Sequence, residues 1–241
     1  MTGVIALTRL EILRAVRNRR VMFFTILYPT ILFLLIGNSA KGDFSGVPIK
    51  TYFLVSMASF GALGAALTTN AQKIAQERKE GWTRQLRLTA LPGNGYVIGK
   101  VGAATAVTIP ATLIVFIVGA FSGVHLPASH WIGAFLVIWL GSLAFTALGI
   151  AIGYGVPNDS VQLVVMIFYI ASSFLGGLWF EITGALADVG KAFPTYQVRQ
   201  LATDVVTGQH VSVSGIAILL AWVAGAAILA SAMYRRGVTA D

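Results

Sequence analysis

The chain has 241 residues, no cysteine, and a formal charge of +8 from 17 Lys and Arg against 9 Asp and Glu. Hydrophobic residues make up 56% and charged residues only 11%, whereas about a quarter of a soluble domain is charged, so this is a membrane composition with no separate soluble domain left over. The cations are parcelled out between apolar runs instead of sharing one wet face, which excludes a nucleic-acid groove binder, and without cysteine there is neither a disulfide framework nor a thiolate metal site.

The N-terminal stretch Ala6 to Arg20 sets Leu7, Leu10, Leu13 and Ala15 against Arg9, Arg14, Arg17 and Arg20. That spacing predicts an amphipathic interfacial helix on an anionic leaflet. The bland alternative is a set of arginines that only orient the chain. The apolar run that follows is about 17 residues long and shows no small-residue cleavage pattern, so it reads as retained and not as a signal peptide.

Crossing about 30 Å of hydrocarbon takes roughly 20 helical residues, and six segments qualify as spans. They are Val21 to Gly37, Thr51 to Ala71, Val101 to Phe121, Trp131 to Gly155, Val161 to Phe180 and Val211 to Tyr234. Each is apolar round its circumference, and Pro29 should kink the first. The fold class is therefore an all-α integral membrane protein, one transmembrane domain over residues 1–241.

Orientation follows from Lys and Arg. Thirteen of them lie in the N-terminus, the Gln72 to Lys100 loop and the C-terminus, against four (Lys41, Lys50, Lys191, Arg199) on the other side. Both termini and the basic loop are expected in the cytoplasm, with the chain in a plasma (inner) membrane; richness in Ala, Gly and Val suggests a bacterium. The outer segment 181–210 mixes apolar turns with Gly184, Gly190 and Phe193-Pro194. Two short helices dipping back into the membrane are expected there, a re-entrant segment between spans five and six; a solvated surface loop is the plainer alternative.

The loop from Gln72 to Lys100 interrupts the apolar chain with an ordered pattern. Lys73 with Glu77, and Glu80 with Arg84, are opposite charges at i,i+4 spacing. Gly81 should bend the helix between them, Trp82, Leu86 and Leu91 supply apolar contacts, and Leu91-Pro92-Gly93-Asn94-Gly95 should end helical structure before the next span. A phosphate loop is excluded: Gly93 to Lys100 has five residues between its outer glycines instead of four, and Val101 follows the lysine where Ser or Thr is needed.

Elsewhere the chemistry is thin. His125, His130 and His210 have no spaced partners for a metal. Gly37-Asn-Ser39 faintly resembles an intramembrane serine protease, yet no span contains a histidine to act as base. The span interiors lack Asp, Glu, Lys and Arg, which argues against a proton or sodium relay. Gly119 with Gly123 and Gly149 with Gly153 are small-residue pairs that permit close helix approach without identifying a dimer seam.

Six spans, an amphipathic N-terminus and a loop carrying Glu77, Glu80, Gly81, Leu86, Leu91-Pro92 and Gly99-Lys100 resemble the permease subunit of a type-2 ABC exporter of the drug or antibiotic efflux kind. Phe193-Pro194-Thr-Tyr196 is similar to that family's outer re-entrant region, and Trp82 stands where a small hydroxyl is more usual. The resemblance implies a transport subunit without its own ATPase site or catalytic residues. It implies a separate ATP-binding subunit, carrying ATP and Mg, docked on the loop through Glu77, Glu80, Gly81, Trp82, Arg84, Leu86 and Pro92. It also implies a homodimer or heterodimer of permeases in the bilayer, with a substrate path walled by Phe24, Tyr28, Ser59, Phe60, Tyr169 and Phe174. Glu181 is a candidate outer gate, or merely reaches headgroups. Lipid or polysaccharide export is the alternative cargo reading, and an ATP-independent channel or carrier the alternative class.

Overall fold

A computed structural model describes residues 2–37, 39, 42–44, 46–81 and 93–239. Helix α1 (Thr2–Arg17) leads into α2 (Arg19–Met22), which continues through a π-helical turn (Phe23–Leu27), α3 (Tyr28–Leu32) and a second π-helical turn (Phe33–Gly37). A two-residue hairpin, β1 (Asp43–Phe44) with β2 (Val47–Pro48), precedes the long helix α4 (Ile49–Lys79). Then come α5 (Gly93–Phe121), α6 (Ala128–Gly155), α7 (Val161–Leu175), the short helices α8 (Ala185–Lys191) and α9 (Pro194–Thr207), and α10 (Val213–Thr239).

Five helical stretches are long and apolar enough to cross a membrane: Ile49–Lys79, Tyr96–Phe121, Ala128–Gly155, Asn158–Leu175 and Val213–Met233. The sixth expected span corresponds to Phe23–Gly37, which has only 15 residues and falls short of the roughly 20 that a hydrocarbon core requires. Pro29 lies between its two π-helical turns instead of at a simple kink. Because Pro donates no N–H, the turns around it rearrange, and the Thr30 hydroxyl donates to the Ile26 carbonyl at 2.6 Å.

Helix α4 is the axis of the bundle, with 89% of its apolar window buried against α5, α6, α7, α9 and the first run. Small residues allow that crowding. A Cβ on Gly149 of α6 would lie 2.5 Å from the Leu67 carbonyl, and one on Gly153 would lie 2.8 Å from Ile74, so this glycine pair seats α6 on α4 of the same chain. Gly123 belongs to no helix pair; its φ of +89° ends α5.

The outer segment folds as two short helices. α9 turns a buried face of Val198, Leu201, Ala202 and Val206 onto α6, α4 and α10, and it also buries Arg199. That arginine donates to the Gly176 carbonyl at 3.1 Å and lies over the Tyr52 and Tyr196 rings, so it is not the loop cation that charge counting takes it to be. α7 stops at Leu175, five residues before the expected end, because Gly177 takes a φ of +67°. Across the described residues, α7 and α10 are the least covered spans, at 22% and 17% buried.

Candidate functional site

Two features stand out, a polar clasp where α1, α4 and α5 meet and a groove between the first run, α4 and α7. In the clasp, Glu11, Glu77 and Lys100 are at most 3% exposed. Lys100 Nζ lies 2.6 Å from Glu77 Oε1 and 3.2 Å from Glu11 Oε2. The Tyr96 hydroxyl donates to Glu77 Oε2 at 2.7 Å. An ammonium this deep survives only with counter-charge and hydrogen bonds around it, and three helices converge to supply them.

Local sequence explains the convergence. On α1 the buried positions are Leu7, Glu11 and Ala15, one stripe at i, i+4 and i+8. The opposite face exposes Ile5, Leu10, Leu13 and Val16. The inward stripe of α1 thus keeps Leu7 and Ala15 of the expected apolar face, leaves Leu10 and Leu13 outside, and carries an acid. Gly99 and Gly102 let α1 approach, facing Leu7 at 3.6 Å and Thr8 at 2.8 Å from their would-be Cβ positions. Arg78 completes this end of the bundle by donating to the carbonyls of Gly153 and Val156, at 2.9 and 3.0 Å, at the C-terminus of α6.

The expected coupling residues divide. Glu77 pairs with Lys100 and not with Lys73, because α4 turns Glu77 into the bundle while Lys73 faces a separate cavity. Glu80 is exposed and accepts a hydrogen bond from the Gln76 amide. Gly81 ends α4 instead of bending it: the helix stops at Lys79, Gly81 has φ +68°, and none of the described residues lies within 4 Å of its would-be Cβ. Trp82, Arg84, Leu86, Leu91 and Pro92 lie outside the described residues. Whether helical structure stops at Leu91-Pro92 lies outside the described residues; α5 begins at Gly93, eight residues before the expected span start at Val101, and although Gly93, Gly95 and Gly99 in its first turns cost helix propensity, Tyr96 and Lys100 gain the clasp.

The groove is a cavity of about 520 Å³ lined by Phe24, Thr25, Gly64, Thr68, Gln72, Gln162, Val165, Met166 and Tyr169. Its wall is apolar with uncharged polar groups, and Gln72 donates to Gln162 across it at 2.5 Å. Of the six expected path residues, Phe24 and Tyr169 line it. Phe60 stacks on Tyr169 with ring centroids 4.6 Å apart, and the Tyr169 hydroxyl donates to the Phe60 carbonyl at 2.6 Å. Tyr28 lies 6.2 Å from Phe60, and Trp179, absent from the expected set, links Phe60 (5.1 Å) to Phe174 (5.9 Å). These rings form a continuous aromatic ladder leading away from the groove. Ser59 stands apart, fully buried inside the bundle. Glu181 is exposed beyond the end of α7.

Sequence reasoning missed Glu11, Lys100 and Tyr96 as a group. Lys100 looked like a loop cation at a helix start. Glu11 did carry a signal, because it is the only acid before Asp43 in a stretch full of arginine.

A helical bundle with five long apolar helices, an uncharged groove and a clasp of buried ions at one end is a multi-pass membrane protein built for transport. The family model described as "ABC-2 family transporter protein" matches residues 36–234, and the chain belongs to that family. Membership makes it a permease subunit and implies a separate ATP-binding subunit as its partner. The chain is also similar to YvfS of Bacillus subtilis (strain 168), a protein named as a transport permease, with 26% identity over 220 residues that cover 88% of this chain and 89% of the relative.

Proposed function

We propose that this chain is the permease of an ATP-driven exporter that moves amphipathic or hydrophobic, drug- or antibiotic-like compounds out of a bacterial cytoplasm by alternating access between two permease copies. The observation that carries this reading is the 520 Å³ groove, whose lining has no ionised side chain and which runs into the aromatic ladder. Such a wall offers dispersion contacts, ring faces and a few hydrogen-bonding groups to a cargo with mixed surface. The outward faces of α7 (Leu163, Met166, Ile167, Ile170, Phe174) are exposed and suit either lipid or a second copy, identical or homologous.

Energy enters from the partner's ATP and Mg. The exposed end of α4 at Glu80 and Gly81, with the loop that follows, is the docking element in this reading, and the clasp behind it ties that end to α1. Both termini lie in the cytoplasm, and α8 with α9 forms an outer re-entrant segment. The test is reconstitution of the chain with its ATP-binding partner in liposomes. ATP-dependent movement of a fluorescent amphipathic compound supports the proposal; equal transport by the permease alone, without ATP, overturns it.

A further inference from the structure

The groove is not uniform along its length. Gly64, Thr68 and Gln72 recur every fourth residue on α4, and Gln162, Met166 and Tyr169 line the same cavity from α7, so each helix contributes one stripe. Toward one end the Tyr169 ring closes over Gly64, where a Cβ would lie 2.5 Å from it. At the other end the Gln72 amide donates to the Gln162 oxygen at 2.5 Å. Gly64 and Gln72 are two i,i+4 steps apart on α4, about 12 Å at helical rise.

The hydroxyls of the wall are committed to other groups. Thr68 donates to the Gly64 carbonyl at 2.7 Å and Tyr169 to the Phe60 carbonyl at 2.6 Å, while Thr25 is buried and has a partner of its own. The glutamines differ. A primary amide carries two N–H donors and an acceptor oxygen, and among the described residues the bond between them is the one hydrogen bond either side chain makes. Gln162 is exposed and Gln72 half-buried, so both are within reach of a molecule in the groove. Their mutual bond also fixes the two amides side by side, which puts their remaining donors and acceptors at one place on the wall.

Charge narrows the ligand. The lining holds no ionised side chain, so an ammonium or carboxylate entering there would lose hydration without gaining a counter-ion. An uncharged group with both a donor and an acceptor loses less and can be matched bond for bond. We propose that Gln72 and Gln162 are specificity-determining residues that exchange their mutual bond for hydrogen bonds to an uncharged donor–acceptor group of the cargo, an amide, lactam or carbamate, while Tyr169 and Phe24 take its flat apolar end. This role rests on the groove's being the cargo path.

Two fluorescent probes of one shape test it: pyreneacetamide, and methyl pyreneacetate, which keeps the ring and the acceptor but has no N–H. Their binding to the purified full-length chain is titrated in detergent, and their ATP-dependent movement is followed in proteoliposomes with the ATP-binding partner. The expected result is that the amide binds about tenfold more tightly than the ester, the worth of one to two hydrogen bonds. Gln72→Leu and Gln162→Leu should each erase that preference while leaving ester binding in place. Gln76→Leu, the same change one turn along α4 and outside the groove, should keep it. Equal binding of the two probes to the unaltered chain overturns the assignment, as does a preference that survives both groove variants. Loss of amide and ester binding together in those variants, or loss of the preference in Gln76→Leu, also overturns it, because either marks a structural effect. A glutamine-dependent preference in binding without ATP-dependent movement supports the pair and overturns the transport reading; movement without the preference does the reverse.

Discussion

Lys100 Nζ lies 2.6 Å from Glu77 Oε1, closing the end of α4 onto the early turns of α5 across the loop that separates them. The contact is buried on both sides, and its second carboxylate, Glu11, comes from the N-terminal helix. One ammonium therefore holds three helices at the end of the bundle where the expected docking loop emerges.

Removing that ammonium strands two buried carboxylates. Lys100→Met should lower stability by about 3–5 kcal/mol, the cost of breaking a buried pair from one side. The triple variant Lys100→Met, Glu11→Gln, Glu77→Gln removes all three charges and should recover much of the loss, since coupled sites are not additive. Denaturant unfolding of the purified chain in detergent checks both values; equal loss in the single and triple variants would refute a charge-based clasp.

Gly81 has a left-handed φ of +68°, and among the described residues nothing lies within 4 Å of its would-be Cβ. A side chain there meets backbone strain of roughly 1–2 kcal/mol and no clash with the described residues. Gly81→Ala and Gly81→Trp should therefore be similar, both loosening ATP hydrolysis from transport while leaving the chain inserted, and Gly81→Asn should be milder because Asn tolerates this region. Hydrolysis and flux measured together in proteoliposomes decide it. A much larger defect for Trp than for Ala would point to a steric partner instead.

The groove depends on one ring. Tyr169→Phe loses the bond to the Phe60 carbonyl, about 1 kcal/mol, and keeps the stack, so cargo preference should shift modestly. Gly64→Ala puts a methyl 2.5 Å from the Tyr169 ring and should displace it, giving a transport profile like that of Tyr169→Ala. Efflux of a panel of amphipathic dyes reads the comparison; a wild-type profile in Gly64→Ala would show that this wall is not the path.

The absence of cysteine makes single reporters clean. A cysteine at Asn158, in the short connection before α7, should react with an impermeant maleimide only from the cytoplasmic side, and one at Asp188 on α8 only from outside. Labelling of both from one side would contradict the orientation drawn from lysine and arginine.

Legibility in the sequence followed the range of the forces. α4, α5, α6, α7 and α10 were visible as apolar runs because bilayer thickness sets a length that composition alone can meet. The two short outer helices were foreshadowed by Gly184, Gly190 and Pro194. Helix ends were read less well: α7 stops at Leu175, two residues before the left-handed Gly177, and α5 starts at Gly93, where backbone conformation and tertiary gain outweighed propensity. The site was harder still. Glu77 has a lysine four residues before it and nonetheless pairs 23 residues away, since i,i+4 spacing offers a fraction of a kilocalorie against the penalty of leaving Lys100 buried alone.

Class, span pattern, the family resemblance and the expected sidedness all came from composition, run length and the order of residues around Gln72 to Lys100, quantities that are local and additive along the chain. Which cations face water and which are interior came only from packing. Lys100 and Arg199 count like any other charge in the sequence, yet one lies between two carboxylates and the other over two tyrosine rings. A charge's surroundings depend on helices brought together from distant sequence positions, and no periodicity along one helix encodes them.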